Sequence, residues 1–94
     1  MGFFDFLNPK KKIAKVMSGK IAPKLIDKAV EVLKNTAEEQ AREILSGVAT
    51  QLCQGVAGEV IPSALQEHSN DIIADAATDA VNKAIDEAKK KLGK

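Results

Sequence analysis

The stretch DIIADAATDAVNKAIDEAKKKL, residues 71–92, decides the fold. Its apolar residues recur at helical spacing. Ile73, Ala77, Val81, Ala84, Ile85, Ala88 and Leu92 fall on one side, and Asp71, Asp75, Asp79, Asn82 and Asp86 on the other. Aspartates come early and Lys89, Lys90 and Lys91 late, the order that the helix dipole favours. Asp79–Lys83, Asp86–Lys90 and Glu87–Lys91 are i,i+4 pairs in the favourable direction. Gly93 supplies a stop. A long helix with an alanine seam packs closely against a neighbour. Ile73, Ala77, Val81, Ala84, Ile85, Ala88 and Leu92 are therefore a candidate face for self-association, and the chain is expected to be a homo-oligomer.

The same periodicity extends upstream. Asn8 and Pro9 read as a cap and a first helical residue, with Ile13, Val16 and Met17 facing one side. Ser18-Gly19 weakens this helix, and Pro23 marks a second start or a kink. Leu25, Ile26, Ala29, Val30 and Leu33 continue as an apolar stripe. Thr36-Ala37-Glu38-Glu39 matches a capping box, so a new helix is expected from Ala37. Its inner face would hold Ala41, Ile44, Leu45, Val48, Leu52 and Val56, with Glu38 and Glu39 both within reach of Arg42. Gly55 and Gly58 should end or bend it. Pro62 sits in the next first turn, and Ser63 to Gln66 can cap a short helix. No stretch alternates as a strand does. The expected fold is all-α: a small bundle of four to five helices with an aliphatic, alanine-rich core. Residues 1–8 form an apolar docking segment and residues 9–94 the bundle domain.

Composition bounds the function. The 94 residues are 45% hydrophobic and 29% charged, with a net charge of +1, so one small globular domain is expected and no global field selects a polyanion. A core this small gains from partners or self-association. Cys53 is the lone cysteine, excludes an internal disulfide, and reads as a small buried hydrophobe. A cytoplasmic or other reducing compartment fits, with the chain peripheral at a membrane as a variant. MGFFDFLNPKKK places its apolar residues before its lysines, the reverse of a secretory signal. Phe6 stands where a myristoylation motif needs Ser or Thr. The longest uncharged run, Ile44 to Gly58, is fifteen residues, short of the roughly twenty that span a bilayer.

Catalytic chemistry is poorly provided for, and no catalytic residue, metal site or cofactor is assigned. The chain has one His, one Cys, one Arg and no Tyr. His68 and Asp71 can meet across one turn, but a solvated loop histidine beside a helix-start aspartate is the ordinary reading. Asp71, Asp75 and Asp79 share a face, and a flat helix face supplies too few ligands for a hard cation. Neither a Walker A loop nor a dinucleotide-binding glycine motif is present.

Two features rise above this background. All three aromatics, Phe3, Phe4 and Phe6, fall within the first six residues, followed by Leu7 and then by Lys10, Lys11, Lys12 and Lys15. An apolar plug beside lysines is how a peripheral segment holds a membrane surface. It equally suits a groove on a protein partner, and the same residues can instead fold back on the bundle. The second feature is charge asymmetry. Residues 1–28 carry seven lysines against two aspartates, a net +5, whereas residues 29–67 carry two basic against six acidic residues, a net −4. Lys20, Lys24 and Lys28 form a row at i, i+4, i+8. With no nearby arginine and no interleaved aromatic, sequence-specific nucleic-acid binding is not expected. The reading that results is a non-enzymatic structural or assembly protein. It self-associates and docks to a partner or membrane surface through its Phe-rich, Lys-flanked amino terminus. A small regulatory or inhibitory protein is the alternative, and a nonspecific nucleic-acid binder the third reading.

Overall fold

Helical periodicity dominates the chain, and the computed structural model, which describes residues 9–93, follows it throughout. Among the described residues there are three α-helices and no strand: α1 (Pro9–Asn35), α2 (Glu38–Val60) and α3 (Ser69–Leu92). A 3₁₀ helix (Ser63–His68) joins α2 to α3. The all-α expectation holds, but four to five helices become three. Two expected breaks are absent. Ser18-Gly19 and Pro23 both lie inside an uninterrupted α1 of 27 residues.

The reason is the stripe that crosses them. Met17, Ile21, Leu25, Ala29 and Leu33 are buried at an unbroken four-residue spacing. Gly19 and Pro23 sit on the opposite, exposed side. The carbonyl that Pro23 deprives of a partner belongs to Gly19, where water can reach it. The local penalty of about 3 kcal/mol is then outweighed by burial on both sides of it. The expectation for Gly55 and Gly58 fails in the same way. Both are exposed, each costs roughly 0.5–1 kcal/mol relative to alanine, and α2 runs through them to Val60.

Thr36 does not form the expected capping box. Its hydroxyl donates to the Val32 carbonyl at 2.8 Å, closing the end of α1 rather than opening α2. Asn35 Nδ2 donates to the Glu31 carbonyl at 3.0 Å beside it. Ala37, in extended geometry (φ −71°, ψ 156°), becomes the residue before α2, so Glu39 is one position short of the reciprocal bond. The two-residue link makes α1 and α2 antiparallel. At the other end, Ile61 is buried and Pro62 precedes the 3₁₀ turn. Gln66 Nε2 holds the Ile61 carbonyl at 3.0 Å there. The start of α2 lies beside the end of α3, where Lys89 meets Glu38, so α3 runs parallel to α1.

The three helices pack mutually, and the pairing of α3 with α1 is the most extensive. Two neighbouring rows of it are buried, Ile72/Ala76/Ala80/Ala84/Ala88 and Ile73/Ala77/Val81/Ile85. Single-stripe reasoning misses Ile72, Ala76 and Ala80. Among the described residues nine of the twenty buried apolar side chains are alanine, so much of the core gains its stability from close approach rather than from large buried side chains. Helix α2 contributes Ala41, Leu45, Ala49 and Cys53. Val16 and Ile44, expected on inner faces, are exposed at 53% and 44%. The molecule measures 41 × 27 × 19 Å, and its long axis is the length of α1, about 40 Å at 1.5 Å per residue. Gly93 closes α3 in left-handed geometry, φ 73°, as its sequence position implies.

Candidate functional site: the basic face of the first helix

The residues singled out in the sequence fall into three groups. Phe3, Phe4, Phe6 and Leu7, with the boundary of the 1–8 segment, lie outside the described residues. Ile73, Ala77, Val81, Ala84, Ile85 and Ala88 are buried in the chain's own core, and Leu92 is packed against it. That face covers α1 and α2 of the same molecule and offers no surface to a second copy in this fold. The reason is that α3 packs on both of the other helices at once. The lysines form the third group, and α1 carries all of them.

Lys10 is half-buried, while Lys11, Lys12, Lys15, Lys20, Lys24 and Lys28 are exposed. The structure merges two sets that the sequence reading kept apart. Lys12, Val16, Lys20, Lys24 and Lys28 follow one another every four residues and are all exposed, so they make one ridge along the outside of α1. Gly19 and Pro23, also exposed, flank it without long side chains. Val16 was assigned to the core, which hid this row; counting in fours from Lys12 to Lys28 would have found it.

The electrostatics of the ridge are lopsided. Helices α2 and α3 have acids in their first turns, Glu38 and Glu39 in one and Asp71 in the other. The first turn of α1 has none, and Lys10, Lys11 and Lys12 occupy it. Positive charge at the positive end of a helix is unfavourable. The ion pairs among the described residues involve Lys28, Arg42, His68, Lys83, Lys89 and Lys90, and none holds Lys10, Lys11, Lys12, Lys15, Lys20 or Lys24. Asp27 is the first acid along α1.

Elsewhere the polar residues tie helices together. Ser18, wholly buried, donates from Oγ to Asp79 Oδ2 at 2.9 Å, linking α1 to α3. Lys83 approaches the same Asp79 oxygen at 3.7 Å, as its spacing implies. The other two expected pairs of α3 give way to Lys90–Glu87, at 3.7 Å. Across α2 and α3, Lys89 Nζ meets Glu38 Oε1 at 2.8 Å, Arg42 Nη2 meets Glu38 Oε2 at 3.6 Å, and Arg42 Nη1 donates to Asn82 Oδ1 at 2.7 Å. The Lys89 hydrogen bond, then its charge, holds the Glu38 carboxyl below its ordinary range. Arg42 therefore bonds Glu38 and Asn82, not Glu39.

Groups with reactive potential have ordinary settings. Cys53 is buried, and burial pushes its thiol up, away from the reactive thiolate. His68 is half-buried with Nε2 3.9 Å from Glu67 Oε1, and no bond joins it to Asp71 among the described residues. Among these residues no group of three His, Cys, Asp or Glu side chains is placed to hold a metal ion, and no helix is long and apolar enough to cross a membrane. Set against known protein families, curated proteins and solved structures, the chain matches none.

Proposed function

We propose that this chain is a non-enzymatic structural or assembly protein that self-associates and docks to a partner or membrane surface through Phe3, Phe4, Phe6 and Leu7 with Lys10, Lys11, Lys12 and Lys15. The observation that carries the reading is the basic start of α1, which has no ion pair among the described residues and directly follows the only aromatic residues of the sequence. An arrangement that disfavours the isolated helix is relieved when an anionic or apolar surface covers it. Self-association is supported by the alanine-rich core, which leaves a 94-residue chain with modest buried area. Removing residues 1–8 tests the reading: light scattering at micromolar concentration should then show loss of assembly. A full-length chain that is monomeric, with the shortened chain unchanged in every docking assay, would overturn it.

A second reading rests on the division of charge. A segment of net +5 followed by one of net −4 suits a small regulatory protein that occupies a complementary site on another macromolecule. Under it, the shortened chain keeps its inhibitory contact. Nonspecific nucleic-acid binding is the third, and it predicts heparin retention that vanishes at moderate salt.

A further inference from the structure

We infer that the exposed ridge of α1 is a lipid-facing surface, and that its partner is an anionic bilayer. This deepens the docking reading above, on which it rests, by naming the partner and extending the contact along α1 beyond the terminal lysines. Lys12, Val16, Lys20, Lys24 and Lys28 lie one turn apart and span about 24 Å at 1.5 Å per residue. Each four-residue step also turns about 40° around the helix, so Lys12, Val16, Lys20 and Lys24 share an arc of about 120° that faces one plane, and Lys28 lies at its edge.

Charge complementarity selects an anionic plane. From Pro9 to Ile26 the helix carries six lysines and no acid, and none of those lysines has a carboxylate within 4.0 Å among the described residues. Lys28 is the exception in the ridge, with Glu31 at 3.8 Å, and marks where the unopposed charge ends. Val16 selects lipid over nucleic acid. It is the most exposed large apolar residue described, at 53%, and sits between Lys12 and Lys20 in the row. A phosphate backbone has no place for that side chain, whereas the headgroup–acyl boundary accepts it between lysines that reach the headgroups. The row also lacks arginine for base edges and an aromatic residue for base stacking. Gly19 and Pro23 keep the face low, so the backbone approaches the plane closely. The chain that leads into α1 holds Phe3, Phe4, Phe6 and Leu7, the residue types that enter that boundary.

The test is co-sedimentation of the full chain with phosphatidylcholine vesicles, with and without about one-third phosphatidylserine. Binding should require phosphatidylserine and fall away near 0.5 M salt, where screening acts over roughly 4 Å or less. The triple variant Lys12→Gln, Lys20→Gln, Lys24→Gln should bind on the order of a hundredfold more weakly, given the usual gain per surface lysine. Val16→Ser should weaken it several-fold with its salt dependence intact. All four positions are exposed, and circular dichroism should show each variant as helical as the parent. Equal binding to both vesicle types, or no loss in the triple variant, overturns the inference. So does retention on DNA by a chain that ignores vesicles. A fourth variant, Phe3→Ser, Phe4→Ser, Phe6→Ser, separates the two claims. If it binds as the parent does while the lysine variant fails, the ridge stands and the terminal docking reading falls. If vesicles are never bound but copies assemble only with residues 1–8 present, the ridge falls and that reading stands.

Discussion

Helices α1 and α3 run parallel and pack on one another, yet their charges are laid out in opposite ways. In α3 an aspartate opens the helix, three lysines close it, and two rows of small and branched residues turn inward. Each choice stabilises the fold. In α1 lysines occupy the positive end, a proline sits in the middle, and a valine stands in water. Each of these works against the isolated fold, and the buried stripe offsets them all. The unfavourable choices of α1 fall on its outer side, and its inner side carries the buried stripe.

That contrast can be broken at the level of packing first. Ile85→Ala, inside α3, should lower unfolding free energy by about 2–5 kcal/mol, whereas Val16→Ala, on the outer ridge of α1, should stay within about 0.5 kcal/mol. Denaturant titration of both variants reads the difference, and comparable losses would mean that Val16 belongs to the fold after all. The next largest effect should be a gain. Pro23→Ala restores a helix hydrogen bond on the exposed side and should stabilise by about 1–3 kcal/mol, raising the thermal midpoint. A fall would show that the proline fits a bend the buried stripe needs.

Smaller effects sharpen the electrostatic side. Lys11→Glu, in the first turn of α1, should stabilise by about 0.3–1 kcal/mol at low salt and less at high salt. Asp71→Lys, at the matching end of α3, should destabilise by a similar amount, and equal signs in the two helices would erase the comparison. The mildest effect concerns acid. Glu38 ionises more readily in the fold than in the unfolded chain because Lys89 bonds it. Its contribution is therefore complete above the ordinary glutamate range and fades as pH falls through the lowered value. Glu38→Gln should flatten stability across that acidic window and leave its slope near neutrality unchanged. An unaltered acid limb would show that the Lys89 contact contributes nothing in solution.

Much of this architecture was legible in the residues because helix periodicity is a repeated signal. The extent of α3, its glycine stop and the buried cysteine all follow from spacing and end chemistry. What failed did so where a local rule met a longer pattern. Pro23, Gly55 and Gly58 are strong breakers individually, but Met17 to Leu33 and Leu45 to Val60 hold their helices across them. Thr36 suits either end of a helix, and only the fold decides which carbonyl or amide it meets. Ile72, Ala76 and Ala80 were missed because one inner stripe presumes one neighbour, whereas α3 has two. The lysine ridge was half visible, since Lys20, Lys24 and Lys28 stand out, but Lys12 joins them only once Val16 is known to face outward.

The bond from Ser18 to Asp79 has one more consequence. Alanine at 76, 80, 84 and 88 presents nearly the same contour on every turn of α3, so apolar contact distinguishes weakly between alignments of α1 that differ by a turn. The Ser18 hydroxyl, bonded to Asp79, is a polar mark on that otherwise smooth scale. An alignment that faced it with Ala76 or Ala80 instead would strand a polar oxygen among methyl groups, and the native setting spares it.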